Sequence, residues 1–239
     1  MITYARRSLR LYLANRNYVL GVPVLTLGLM VVISILNAVI IGIGTGFPLS
    51  AQVQDGFRSN SGVIWAIPGF LVSVGVLAAT RNFAMALAFG STRRHFWLGT
   101  MAGFVATATV TAASAVLMLG VERLTNHWFI GAHALDVAVL GDGNVATTFA
   151  VVFVLVLLST TAGAMFGMVY RAYGPKATTF LVIGCLLLVF VAVAIGMWQR
   201  DAVGPMLAQW GAWAGVIVGS GLVVVTSAGS YAACRLATV

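Results

Sequence analysis

The stretch YVLGVPVLTLGLMVVISILNAVIIGIGTG, residues 18–46, contains no Asp, Glu, Lys, Arg or His. A helix rising 1.5 Å per residue needs roughly 20 apolar residues to cross about 30 Å of hydrocarbon. This run exceeds that requirement. It is also far longer than the apolar core of a cleavable signal peptide, so it reads as a membrane-spanning helix. Its glycine-rich end, IGIGTGFP, is expected to fray at the membrane surface. The glycines do not fit a dinucleotide fingerprint, because the third is misplaced and no strand precedes them.

Five further segments read the same way, at about 63–82, 99–121, 145–170, 177–198 and 207–232. Of 239 residues, 61% are hydrophobic and 8% charged, where soluble domains carry about 25% charge. Mean hydropathy is +1.03. The predicted fold is an all-α integral membrane protein with six transmembrane helices in a single domain, residues 18–239, preceded by an interfacial helix over 1–17. Cys185 and Cys234 fall in apolar surroundings and read as small core residues. No Cys/His cluster has metal-ligand spacing, so no metal site is expected.

The placement of charge gives the orientation. With both termini inside, Arg6, Arg7, Arg10, Arg16, Arg81, Arg93, Arg94, Arg171, Lys176 and Arg235 lie on the cytoplasmic side. Only Arg58, Arg123 and Arg200 lie outside, with all 5 acids: Asp55, Glu122, Asp136, Asp142 and Asp201. Lysine and arginine concentrate on the cytoplasmic side of membrane proteins. The net charge of +8 is thus accounted for at a membrane, and no nucleic-acid partner is expected. No formal charge lies near the middle of a predicted span. Proton-coupled carriers and intramembrane hydrolases generally keep charges there, which argues against both. A phosphate-binding G-x-x-x-x-G-K-[ST] loop is also missing, so energy for active transport would come from a partner.

On a helical wheel, residues 2–14 gather Arg6, Arg7 and Arg10 on one arc and Ile2, Tyr4, Ala5, Leu9, Leu11, Tyr12 and Leu13 on the rest. That suits a helix lying in the inner interface, its arginines toward anionic headgroups at about 1 kcal/mol each. The densest polar cluster lies in FAMALAFGSTRRHFWLGT, residues 83–100. Gly90 permits a break there, and Ser91 or Thr92 can cap a short helix ending at about Leu98. Arg93 and Arg94 then stand in a first turn, where the helix dipole disfavours cations. Lipid phosphates or acidic groups on another protein would have to favour them. Phe89, Phe96 and Trp97 add apolar bulk for a partner's groove, although Arg, His and Trp beside a span are also ordinary interfacial anchors.

An N-terminal interfacial helix, six spans, both ends inside and LAFGSTRRHFWLGT between the second and third spans resemble the permease subunit of an ABC-2-type ABC transporter. In that family a Leu-Gly-x-[ST]-Arg-Arg-like segment is the coupling helix that docks on the ATPase subunit. Gly90, Ser91, Thr92, Arg93, Arg94, His95 and Phe96 match it here. The resemblance implies a separate ATPase, which binds ATP and magnesium while this chain binds no cofactor. It also implies a second permease subunit, identical or related, and outward transport across the plasma membrane. Two features depart from the family. QRDAVGPM is short for its re-entrant hairpin, and the external loop 122–144 is long.

Stripes of small residues, Ser159/Gly163/Gly167 and Gly211/Gly215/Gly219, are expected to let helices approach closely. Asn37 is a candidate for a cavity or subunit interface, and Pro68 for a kink in the second span. Routes lined by aliphatic, aromatic and hydroxyl groups suit an apolar or amphipathic cargo such as a peptide, lipid or drug-like molecule. In the external loop, His127 and His133 are six apart, which fits neither a helical ligand pair nor a zinc motif. Three other readings stay open: the substrate-capture subunit of a vitamin-type importer, a scaffold or sensor without transport, and a membrane enzyme.

Overall fold

The computed structural model describes residues 21–59 and 66–237, together with Leu9, Tyr12, Leu13 and Gly62. Arg6, Arg7 and Arg10, which define the expected interfacial helix, lie outside the described residues. The described residues form α1 (Val22–Thr45), α2 (Ala51–Ser59), α3 (Ala66–Leu77), α4 (Phe83–Ala88), α5 (Arg93–Leu124), α6 (Val145–Trp198), α7 (Arg200–Trp210) and α8 (Ala212–Leu236). There is no strand among them. A π turn, Ala78–Asn82, joins α3 to α4 as one rod. Five helices are long and apolar enough to cross a membrane: Val24–Thr45, Ile67–Ala88, Arg93–Leu124, Val145–Trp198 and Ala212–Leu236.

The 54-residue α6 is interrupted once, at Gly174 (φ 83°, ψ −177°), with Pro175 following. L side chains rarely adopt that backbone conformation, and proline cannot donate a hydrogen bond to continue the ladder. The interruption falls where the sequence predicts a turn between the fourth and fifth segments. The first arm of α6, residues 145–173, carries all of the helix's buried residues, from Thr147 to Met168. The second arm, residues 175–198, has none.

Contacts fix the direction of each helix. Thr161 on the first arm of α6 meets Thr226 on α8 at 2.8 Å between hydroxyls. Earlier on both helices Val154 faces Gly219, and later Met165 faces Gly229, so the two run parallel. Gly75 on α3 lies on the backbone of Thr160 and Ala164, and Gly167 lies against Val76 and Ala79, so α3 runs the same way. In contrast, α5 runs opposite to these: Phe83 meets Phe96 with ring centroids 5.2 Å apart, and Trp97 Nε1 donates to Ser230 Oγ at 2.9 Å. One pole therefore gathers the α4–α5 turn, Gly174 and the end of α8. The other holds α2, the 125–144 loop and the α7–α8 junction. The first arm of α6 ends at one pole and α8 begins at the other. Residues 174–211 return the chain between them, and the second arm alone spans ~36 Å.

Glycine makes the central contact possible. A Cβ on Gly163 would run into the carbonyl of Val72, and one on Gly75 into the carbonyl of Thr160. Without hydrophobic drive inside lipid, such close backbone approach supplies the dispersion contacts that hold helices together. The expected stripe on the fourth span thus packs within the chain, through Gly163 and Gly167. On the 211–219 stripe only Gly219 meets a neighbour, Val154, while Gly211 (φ +52°) marks the break before α8.

Pro68, expected to kink the second span, stands two residues into the described part of α3. The irregular step of this rod is the π turn at 78–82. Tyr12, expected on the lipid-facing side of an interfacial helix, is 2% exposed and buried among protein side chains. Its hydroxyl meets Thr107 Oγ1 at 3.1 Å, and its ring stands edge-on to Phe104 at 5.7 Å. Gly103 provides the space for that ring. The contact lies ~15–21 Å along α5 from Arg93, so Tyr12 is anchored on protein.

Candidate functional site

The 83–98 corner follows from two local signals. At the end of α4, Ser91 N–H donates to Ala86 C=O at 3.0 Å and Gly90 N–H to Leu87 C=O at 2.9 Å, with Gly90 at φ +77°. That bond pair is a Schellman termination, which favours glycine at its left-handed position. Two residues later Thr92 caps α5, its Oγ1 accepting from the His95 N–H at 3.3 Å. The hydroxyl also meets His95 Nδ1 at 2.8 Å. Break and cap stand where the sequence places them. The helix that follows does not stop near Leu98, however. It continues unbroken for 32 residues, so the expected short helix is the first turns of the third span.

The side chains of this corner divide into two sets. Phe96 is 2% exposed and packs on Phe83, so it is unavailable to a partner. Trp97 is half-buried, bonded to Ser230 and tilted against Tyr231 at a 5.0 Å ring distance. Arg93 donates to the Arg235 carbonyl. That carbonyl belongs to the last turn of α8, whose negative dipole end favours a cation. A neighbouring helix end thus supplies the favourable charge for Arg93. The second set faces outward: Phe89 is 74% exposed, and Gly90, Thr92 and Arg94 are exposed, with Ser91 and His95 half-buried. Arg81, Lys176 and Arg235 are exposed at the same pole, and the Arg171 guanidinium lies 5.4 Å above the Phe83 ring. The result is a basic surface from which Phe89 protrudes, with Tyr170 and Tyr173 also exposed at the end of the first arm of α6.

The opposite pole carries Asp55, Glu122, Asp136 and Asp142, and a site that sequence spacing missed. Glu122, in the last turn of α5, is fully buried. Its carboxylate accepts backbone N–H groups from Ala134 (3.0 Å), Leu135 (2.8 Å) and Asp136 (3.3 Å). Asn126, His127, Trp128 and Phe129 follow with φ of 51°, 57°, 60° and 63°. Consecutive left-handed L-residues cost roughly 1–2 kcal/mol each. This turn brings His127 to Asp136 at 3.1 Å and its ring centroid to 4.0 Å from that of His133. Burial, with the nearby His127 adding to it, pushes the His133 pKa down and keeps that imidazole neutral. Ligand atoms of Glu122, His127 and His133 all lie within 4.8 Å of one another. A histidine spacing of six does not show this, because no glycine announces the left-handed turn.

Two features lie between the poles. A groove of about 670 Å³ opens between the first arm of α6 and α8, lined by Val151, Val154, Leu158, Gly215, Gly219 and Leu222 among others. Asn37 is exposed on α1, one turn from the buried Ser34.

No family model, curated protein or solved structure matches the chain.

Proposed function

We propose that the chain is the permease subunit of an ATP-driven transporter of the ABC-2 type. In this reading it crosses the plasma membrane six times, with both termini and the basic pole in the cytosol. The separation of charge carries the proposal: exposed Arg81, Arg94, Lys176 and Arg235 stand at one pole, and Asp55, Glu122, Asp136 and Asp142 stand at the other. The return of the chain between the first arm of α6 and α8 supports the sixth crossing, made by residues 175–198. Positive-inside bias then sets the basic pole in the cytosol.

A separate ATPase, with its own ATP and magnesium, docks on Phe89, Gly90, Ser91, Thr92 and Arg94. Phe89 is the apolar anchor and Arg94 the charge that an acidic groove would select. Phe96, Trp97 and Arg93 transmit the push, because they join this corner to Phe83 of α4 and to the end of α8. A second permease subunit completes the pathway. Exposed Asn37 supports a seam along α1, since an amide at hydrocarbon depth gains from a partner. The apolar groove suits an apolar or amphipathic cargo, moved outward.

Co-purification with the ATPase of the native host tests this reading. The Phe89→Ala/Arg94→Glu double variant should insert and fold normally, because neither side chain is buried. It should lose the ATPase by more than about tenfold, the effect of removing one interface hot spot. Equal recovery of ATPase by wild type and double variant, or none with wild type, contradicts the proposal.

A further inference from the structure

We propose that Glu122, His127 and His133 bind a divalent first-row transition-metal ion, with Zn²⁺ the best match to the ligand set. The site lies at the pole opposite the basic surface and is independent of the transport reading. Two imidazoles and one carboxylate form a donor set that zinc takes with one position left for water. Their ligand atoms lie within 4.8 Å of one another, and ligands about 2.0–2.2 Å from a tetrahedral ion stand about 3.3 Å apart. Small rotations of the side chains close the site.

Three observations favour an ion over a purely hydrogen-bonded strut. First, Glu122 is a fully buried carboxylate with no Lys or Arg in ion-pair contact among the described residues. Buried charges are ordinarily paired or bound to metal. Its three backbone N–H bonds leave one of roughly four lone-pair positions open. Second, His133 Nδ1 and Asp136 Oδ1 are shut off from solvent without a hydrogen bond, although buried polar atoms are nearly always satisfied. Third, the strained turn 126–129 delivers His127 to this point, and strain of that kind concentrates at ligand sites. Asp136 holds the His127 ring through Nε2, the carboxylate–histidine arrangement that orients metal ligands. Arg123 and Asp136 Oδ1 both approach the space beside Gly143.

The ion would tie the end of α5 to the loop that covers α1, where Ala132 packs on Ala38 and Leu49. The test uses the full chain, free of any histidine tag, in detergent or nanodiscs. After chelation, Zn²⁺ titration followed by calorimetry should give one ion per chain. Co²⁺ should give the visible absorption of a four-coordinate N/O site. The volume-conserving His127→Gln and His133→Gln variants should each bind at least 100-fold more weakly. Asp136→Asn should bind about 10- to 100-fold more weakly. Folded wild type that binds neither ion overturns the proposal, as does undiminished binding by the His127→Gln/His133→Gln double variant.

Discussion

Replacing Gly163 by leucine is expected to abolish the folded protein. The space beside Gly163 is filled by the carbonyl of Val72, with Gly75 of α3 close by. A flexible side chain could swing aside, but backbone inside a helix cannot, so α3 and the first arm of α6 must separate. Overpacking an ordinary core position costs about 1–3 kcal/mol. Here the loss extends along the whole seam, through Gly75, Gly163 and Gly167. It should approach the roughly 5–15 kcal/mol that holds a typical domain together. Size-exclusion profiles and thermal midpoints in detergent would measure it. Gly184→Leu and Gly196→Leu are the controls, since no neighbour lies within 4 Å of a Cβ at either position. Native behaviour of Gly163→Leu would show that the two helices do not meet there.

The second large effect belongs to Glu122. In Glu122→Ala the N–H groups of Ala134, Leu135 and Asp136 lose their acceptor together. Hydrogen bonds to a charged group contribute about 1.5–3 kcal/mol each, and their loss is only partly offset by removing a buried charge. The expected destabilisation is about 3–5 kcal/mol, concentrated in the 125–144 loop. Measured with chelator present, it is independent of any bound ion. Limited proteolysis should cut this loop first in Glu122→Ala, more slowly in Glu122→Gln, and least in wild type. Equal protection in all three would remove the carboxylate from its role as the anchor of the loop.

The sequence exposes what depends on neighbours in the chain and hides what depends on distant ones. Hydropathy alone marks the apolar helices, because burial in lipid asks only for composition and length. Gly90 and Thr92 are legible because a left-handed termination and a hydroxyl cap are each satisfied within six residues. The end expected near Leu98 is absent, since nothing in the residues that follow stops the helix before Leu124. The partners of Arg93, Phe96 and Trp97 could not be read at all. They lie on α4 and α8, and the α8 contacts are 133 and 142 residues away. Phe96 therefore resembled a surface anchor while serving as core. The burial of Tyr12 is illegible because Gly103, which makes its pocket, is far along the chain. The Glu122–His127–His133 cluster was missed for another reason. Its geometry rests on four left-handed residues without a glycine, a conformation that sequence rules assign the other way.

The central claim is that one basic pole faces the cytosol and that residues 175–198 carry the chain back across the membrane. Labelling of single cysteines in intact cells tests it most directly, in a background with Cys185 and Cys234 replaced by alanine. A membrane-impermeant maleimide should reach Leu124→Cys and Trp198→Cys from outside, where both side chains are largely exposed at 89% and 87%. It should reach Phe89→Cys only after the cells are permeabilised. Labelling of Phe89→Cys in intact cells, or of Trp198→Cys only together with it, would contradict the account.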